Sequence, residues 1–473
     1  MSRDRLVPLI IAVALFMENM DSTIIATSLP AIAADIGANP LALKLAVTSY
    51  LLSLAVFIPA SGWTADRFGA RTVFRAAIAV FVVGSIGCAL AHSIEGFVVA
   101  RIVQGMGGAM MTPVGRLVLV RSIDKRNLVD AMAWVTMPAL IGPIIGPPVG
   151  GFITTYASWH WIFIINVPIG LIGIVLATRY IEDVRVEGLE RFDLVGMVLS
   201  GLGVGGLAFG LSVAGLGLLP PIVVIGLIAA GAMFMTAYVL HARRTPAPVL
   251  DFSLIRIATF RANVVGGSLF RLGIGALAFL LPLMLQLGFN YTPLESGLVT
   301  FTAAVGAFTM KTFAARLIRR FGFRRILIVN SLVASALTAA CGLFTPLTPF
   351  AVMVAVLLVG GFFRSLQFTA TNVIAYADVD ARLMSRATSL VSVAQQLSIA
   401  AGVAVGALAV EIAVQVNGTG VITAEDFHPA FFLIGAISAS SALLFWTLPP
   451  DAGASMADRT PIAAPDASDQ RVG

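Results

Sequence analysis

Glu18 and Asp21 are the only charged residues between Leu6 and Pro30, and they stand three apart in a mostly apolar run. On a helix that spacing puts both on one face. Asp21 lies about fourteen residues, or ~21 Å, along it. An ionisable group so deep in an apolar span costs at least ~2.5–3.5 kcal/mol, so it marks a functional site by default. Two neighbouring carboxylates in apolar surroundings suit the reversible uptake of a proton. The structural alternative is an aspartate held permanently ionised by a basic neighbour.

Arg101 interrupts another apolar stretch, and Arg271, Lys311 and Arg364 interrupt three more that contain no acidic residue. If Lys311 and Arg364 face a shared cavity, a mildly acidic first half opposes a basic second half, which suits zwitterionic or anionic ligands. Lys311 is only five residues from Arg316 and could instead snorkel to the surface, as Arg116 does near its own span end. Asn19, Tyr50, Gln104, Gln286, Gln367, Gln395 and Gln396 are candidate cavity groups. Each is equally suited to bonding one helix to another. The 16 Met and 30 Phe offer adaptable contacts, although lipid-facing or core roles are the commoner use. A P-loop needs Gly-Lys, and Lys44, Lys125 and Lys311 follow Leu, Asp and Met. No His/Cys cluster has metal-ligand spacing, so no metal, ATP hydrolysis or catalytic centre is expected.

The elements that hold these residues are membrane helices. Hydrophobic residues make up 58% of the 473 and charged ones 11%, against roughly 25% charged in a soluble chain; mean hydropathy is +0.96. Apolar runs long enough to span a bilayer fall near 7–30, 43–63, 74–92, 97–119, 128–155, 161–180, 194–214, 220–241, 262–286, 296–316, 325–344, 349–372, 385–412 and 428–448. Basic residues alternate with them. Arg3 and Arg5, Arg67 to Arg75, Arg121 to Arg126, Arg185 and Arg191, Arg243 to Arg256, Arg316 to Arg325, and Arg382 with Arg386 mark one side, while Ala91–Gly96, Gly215–Pro221 and Val416–His428 carry no Lys or Arg. This bias puts both termini in the cytoplasm. The net charge of +6 is therefore a topology signal spread over loops, not a nucleic-acid surface. Cys88 and Cys341, both in spans, imply no disulfide framework. The first span is too long for a signal peptide's apolar region and carries Glu18 and Asp21, so it is read as retained.

Gly142-Pro143-Ile144-Ile145-Gly146-Pro147-Pro148-Val149-Gly150-Gly151 lies within the fifth span. Proline removes helix donors and glycine weakens helices by about 1 kcal/mol each, so the run is tolerable only where neighbours pack tightly on it. A mechanical, sealing or bending role is expected. The two halves also echo each other. Arg67-Phe68-Gly69-Ala70-Arg71 is answered by Arg320-Phe321-Gly322-Phe323-Arg324, Arg101 to Gln104 by Arg364 to Gln367, and Gly142 and Gly146 by Gly402 and Gly406. The fold expected is all-α and polytopic, with two pseudo-symmetric six-helix bundles over 1–181 and 260–449. Two inserted helices occupy 182–259, and an Ala/Asp/Pro-rich tail at 450–473 reads as disordered.

These motifs together resemble the major facilitator superfamily, and within it the fourteen-span drug:proton antiporter branch. Asp21 through Pro30 resembles the branch's first-helix motif, Gly62 through Arg71 the superfamily's loop between the second and third spans, and Arg101 through Gly108 its fourth-helix motif. Gly142 through Gly151 resembles the antiporter motif, and Trp159 through Pro168 with Arg191-Phe192-Asp193 a further signature of the branch. His241 through Arg244 and Pro282 through Gln286 are most similar to MdtD-type transporters. The resemblance implies a proton-coupled exporter of small molecules in a bacterial inner membrane, working by alternating access and needing no cofactor beyond the proton gradient, as a monomer. It implies that Asp21 takes part in proton coupling with Arg101 facing it, Glu18 being the added carboxylate. It also implies that Asp66, Arg67 and Arg71 latch the halves on the cytoplasmic side. Ala70 stands where a second basic residue is common, a departure that bears on the latch's strength. A narrower alternative is an exporter of an anionic metabolite or metal chelate, citrate-like in chemistry, resting on Arg271, Lys311 and Arg364. A non-transporting membrane sensor is the reading from another class.

Overall fold

A computed structural model describes residues 3–122, 128–182, 192–213, 219–246, 248–380, 383–418 and 421–453. Side chains are described for all of these except 3–5, 120–122, 128–140, 315 and 385. Every regular element among the described residues is helical. Thirteen helices are long and apolar enough to cross a membrane: α1 (Leu6–Thr27), α2 (Pro40–Phe68), α3 (Ala70–Ala89), α4 (Ile94–Leu119), α6 (Trp161–Tyr180), α7 (Leu194–Val213), α8 (Pro221–Ala242), α9 (Ala258–Gly288), α10 (Pro293–Ala314), α11 (Phe323–Leu343), α12 (Phe350–Ile374), α13 (Arg386–Asn417) and α14 (Ala424–Trp446). α5 (Leu128–Tyr156) is a further continuous helix of 29 residues and completes the expected number. Arg121 to Arg126, Arg185 and Arg191 of the charge pattern, and the tail beyond residue 453, lie wholly or partly outside the described residues.

Local chemistry sets the helix ends. Asn39 caps the start of α2 through its side chain, and Thr292 with Glu295 forms a reciprocal capping box at the start of α10, where Pro293 fits the first turn. Gly69 and Gly322 occupy equivalent places in the two repeated loops and both have left-handed φ, 93° and 77°, a region that penalises a Cβ. The duplication extends to side chains: Arg71 donates to the carbonyl of Ile181 at the end of α6, and Arg324 to that of Trp446 at the end of α14. Each is a cation at a helix C-terminus, where the carbonyls attract it.

Packing repeats in the same way. In the first half α1 packs on α5, α3 on α4, α2 on α4 and α3 on α6; in the second, α9 packs on α13, α11 on α12, α10 on α12 and α11 on α14. Two seams join the halves, α5 with α10 and α2 with α13, and the same pseudo-symmetry exchanges them. α7 and α8 pack on each other, and α7 leans on α2 and α13. α8 turns Ile222, Val223, Ile225, Met233 and Leu240 outward, as a helix facing lipid does.

At the end where α1 finishes and α2 begins, one apolar core spans both halves, from Ile24, Leu29 and Leu43 to Leu280, Met284 and Phe427. At the opposite end the core divides. Val7, Phe74 and Leu119 belong to a cluster that is first-half apart from Ala400 of α13, Ile318, Phe323 and Phe445 belong to a second-half one, and a third joins Ala55 of α2 to Phe260 and Leu390.

A buried carboxylate cluster as the candidate functional site

Asp21 is 0% exposed, in the last third of α1 and inside the first bundle. Two helices deliver three donors to it. Arg101 of α4 donates from Nη1 to Oδ2 at 2.8 Å, Gln104 of α4 from Nε2 to Oδ1 at 2.9 Å, and Asn166 of α6 from Nδ2 to Oδ1 at 2.9 Å. Arg101 and Gln104 are three apart, so one helix face presents both, and Gln104 Oε1 accepts from Arg101 as well. Ser85 of α3 lies behind the two amides and accepts from Gln104 at 2.8 Å and Asn166 at 3.3 Å. Arg101 is completed by the Ala46 carbonyl at 3.3 Å and by the Tyr50 ring 4.2 Å beneath its guanidinium. A buried charge pair survives when its remaining donors and acceptors are also met, as nearly all are here.

Glu18, one turn earlier, is half-buried; its one hydrogen bond among the described residues comes from Thr112 Oγ1 at 2.8 Å. The expected pair therefore divides into two environments: Asp21 is closed in by donors and Glu18 is lightly held. Tyr50, expected in an open cavity, is buried inside the cluster with its hydroxyl unpartnered among the described residues, and Gln104 belongs to the cluster too. Both are corrections. An amide or phenol beside a buried ion pair serves the pair before it serves a passing ligand.

Two further cavity candidates are relocated. Gln367 is fully buried between α11 and α12, bonded to Asn330 and to the Leu327 carbonyl, the second-half counterpart of Gln104's place between α3 and α4. Gln286 donates to the Thr27 carbonyl at 2.9 Å, joining the end of α9 to the end of α1 across the two bundles. It sits in a wide π turn, Met284–Gly288, whose counterpart at Ala262–Gly266 holds Asn263. Asn19 is half-buried, with its amide on the Leu15 carbonyl and its Cβ beside Gly142. Gln395 and Gln396 are half-buried and hydrogen-bonded to no other described residue.

No hydrogen bond or ion pair among the described residues draws the second-half cations together. Arg271 is 1% exposed; its partners are the Asn263 carbonyl at 3.4 Å, Asn372 Oδ1 at 2.9 Å and the Phe368 ring at 5.7 Å, all neutral. Arg364 is half-buried, with its guanidinium lying back over Gly360, and Lys311 is exposed. Neither has a hydrogen bond or ion pair among the described residues. Where the first half balances Arg101 with Asp21, Arg271 and Arg364 have no acidic partner among the described residues.

The glycine-proline run does not break α5, which is continuous from Leu128 to Tyr156. Its glycines meet backbone. A Cβ on Gly142 would lie 3.0 Å from Met20 N, one on Gly146 3.2 Å from Ile24 N, and one on Gly151 2.8 Å from Leu294 Cα in the other bundle. Gly402 repeats the first kind of contact against Leu272 in α9, and Gly406 lies against Ala276 and Leu280. Pro143 is half-buried, as is Pro147, whose carbonyl accepts from Thr27 at 3.4 Å; Gly297 of α10 lies against Pro147 and Pro148. Gly150 is packed on Ile24 and Thr27. Gly151→Val is expected to wedge the α5 and α10 backbones apart and lower transport about tenfold or more, as overpacking of 1–3 kcal/mol predicts. Membrane insertion, read by size-exclusion chromatography in detergent, stays normal.

Of the loop residues, Asp66 is half-buried in the last turn of α2 and Arg67 is exposed. Among the described residues Arg71 bonds nothing in the second half; its guanidinium is drawn to the α6 C-terminus in its own bundle, which corrects its place in a latch between halves.

Sequence reasoning missed four participants. Asn166 and Ser85 are neutral and betray no cost when read singly. Lys44 and Glu411 form a 3.0 Å ion pair across the α2/α13 seam, 0% and 8% exposed. Their signal was a lone charge at each of two span rims.

The family model of the Major Facilitator Superfamily matches residues 11–192 and 264–465. The chain belongs to the Major Facilitator Superfamily. Within the superfamily it is 36% identical over 447 residues to a Yersinia enterocolitica protein named "Putative multidrug resistance protein MdtD", covering 94% of this chain and 95% of that one. A Pectobacterium atrosepticum protein of the same name is 37% identical over 445 residues, with 93% and 95% covered. Among solved superfamily folds, a D-xylose-proton symporter superposes with a TM-score of 0.67 at 15% identity, covering 96% of this chain and 99% of that one. The nucleoside transporter NupG does so at 0.66 and 14%, covering 94% and 98%. At those identities the likeness is one of fold. Superfamily members are transporters rather than enzymes, and this chain is a multi-pass membrane transporter.

Proposed function

We propose that this transporter exports small molecules in exchange for protons, with Asp21 as the coupling carboxylate, Arg101 as its exchange partner and Glu18 as a more accessible proton acceptor beside them. The observation that carries this is the closure of Asp21 by Arg101, Gln104 and Asn166. Protonation of Asp21 removes the charge that holds Arg101, and a buried arginine without its counter-ion must find new partners. That rearrangement links the proton to helix packing. The charge alternation supports an inner-membrane orientation with both termini cytoplasmic; the shared core then lies at the outer end and the divided core faces the cytoplasm. The names of the relatives support drugs as substrates.

A second reading is favoured by Arg271, Arg364 and Lys311, three cations without a carboxylate partner among the described residues. They support an anionic metabolite or chelate as the cargo. Both readings meet one experiment: purified protein in proteoliposomes, an imposed pH gradient, and ethidium and citrate as cationic and anionic probes. Gradient-driven uphill movement of either, abolished by a protonophore, is the expected result, and no response to the gradient overturns proton exchange. If the cargo is anionic, Arg271→Gln with Arg364→Gln abolishes citrate movement. Ethidium transport surviving that pair, with no response to citrate, removes the anionic reading.

A further inference from the structure

The two oxygens of Asp21 are held unequally. Oδ1 accepts two amide N–H groups, from Gln104 and Asn166, whereas Oδ2 accepts one, from Arg101. A carboxylate oxygen has two in-plane acceptor positions, so Oδ1 is filled and Oδ2 keeps one open. We propose that Asn166, acting with Gln104 and Ser85, is a positioning group that reserves Oδ2 of Asp21 for the transported proton. This rests on Asp21 being the coupling carboxylate.

The step balances simply. A hydronium in the access path loses a proton to Oδ2 and becomes water; the new bond is O–H at Oδ2, and the carboxylate charge disappears. Oδ1 becomes the carbonyl oxygen of the neutral acid and still accepts both amides, so the group does not turn. Arg101 alone loses its reason to stay, and it retains Gln104 Oε1, the Ala46 carbonyl and the Tyr50 ring on release. One exchange of partners is thereby singled out.

Asn166 is oriented for this task at a local cost. Its own Oδ1 is buried without a partner among the described residues, an unfavourable arrangement that its bond to Asp21 explains. Ser85 Oγ, accepting from both amides, locks the pair. The other titratable groups around Asp21 are Glu18 on its own helix, Tyr50 from α2, Cys88 from α3 and Arg101 from α4. α6 contributes Asn166 and no charge at this level, and the described part of α5 contributes glycine and proline.

Asn166→Leu keeps the volume and removes one donor to the ionised form. Gradient-driven exchange in proteoliposomes should stay coupled, at reduced rate, with its pH midpoint about one unit more alkaline, since a hydrogen bond to a charged group is lost. Ser85→Ala, which loosens both amides without touching Asp21, should move the midpoint the same way by less, and it serves if Asn166→Leu fails to insert. Asp21→Asn, run alongside, separates the two claims. If Asp21→Asn uncouples but neither other variant moves the midpoint, the positioning role is wrong while Asp21 stands. If Asp21→Asn remains coupled, Asp21 is not the coupling site and the positioning role falls with it.

Discussion

Asp21→Asn is expected to leave a protein that inserts in the membrane, exchanges substrate downhill and no longer accumulates it against a gradient. The amide matches the carboxylate in shape, so α1 still fits against α5. What changes is charge. Arg101, 1% exposed, is left with Gln104, a backbone carbonyl and an aromatic face. Stranding one member of a buried pair costs about 3–5 kcal/mol, so thermal stability in detergent should fall measurably. Adding Arg101→Gln should recover much of that loss, because no charge is then stranded, while coupling stays lost. Uphill efflux at the wild-type rate in Asp21→Asn would falsify the assignment. Stability and coupling moving apart in the double variant is the sharper observation, since a merely structural pair would restore both.

The second large effect is expected at Lys44 and Glu411. Their ion pair crosses from α2 to α13 at the end where the apolar core is shared, the end at which Gln286 of α9 also bonds the Thr27 carbonyl of α1. Glu411→Gln leaves a fully buried ammonium without its counter-charge, and Glu411 Oε2 is already without a partner among the described residues. Opening this end then hydrates Lys44, so the equilibrium shifts toward the open state by about tenfold or more, a small share of the several kcal/mol at stake. A cysteine in place of Thr27, which is 0% exposed and whose carbonyl accepts from Gln286 of the other half at this end, reports the change. Its reaction with a membrane-impermeant maleimide should quicken in Glu411→Gln and in Lys44→Met. It should return to its slow rate when the charges are exchanged as Lys44→Glu with Glu411→Lys. Unchanged labelling in both single variants would show that the pair does not hold this end shut.

The membrane architecture was legible because it is written in length and charge: spans of about twenty apolar residues, arginines on alternate loops, and glycine spacings that the packing repeats at Gly142 and Gly402. Asp21 and Arg101 were legible because deep charges are costly. Lys44 and Glu411 were not, for a reason of register. The expected spans 43–63 and 385–412 set both at membrane rims, where a charge is cheap. The helical runs extend instead to Pro40 and Asn417, which carries both residues inward. Pairing across 367 positions has no local trace. Neutral amides resisted assignment for another reason. Gln104, Gln286, Gln367 and Asn166 have similar chemistry and quite different neighbours, and nothing short of three dimensions distinguishes a residue that braces a carboxylate from one that ties two bundles.

The two seams between the halves differ in kind. Along α5 and α10, backbone meets backbone at Gly151 and Gly297, with one neutral hydrogen bond from Leu294 N to the Thr155 hydroxyl beside them; along α2 and α13 a charge pair must break. A bare backbone contact can roll with little resistance, while an ion pair resists until it parts. The molecule is thus built like a door, with a smooth pivot on one side and a clasp on the other, and its readiness to swing is set mainly at the clasp.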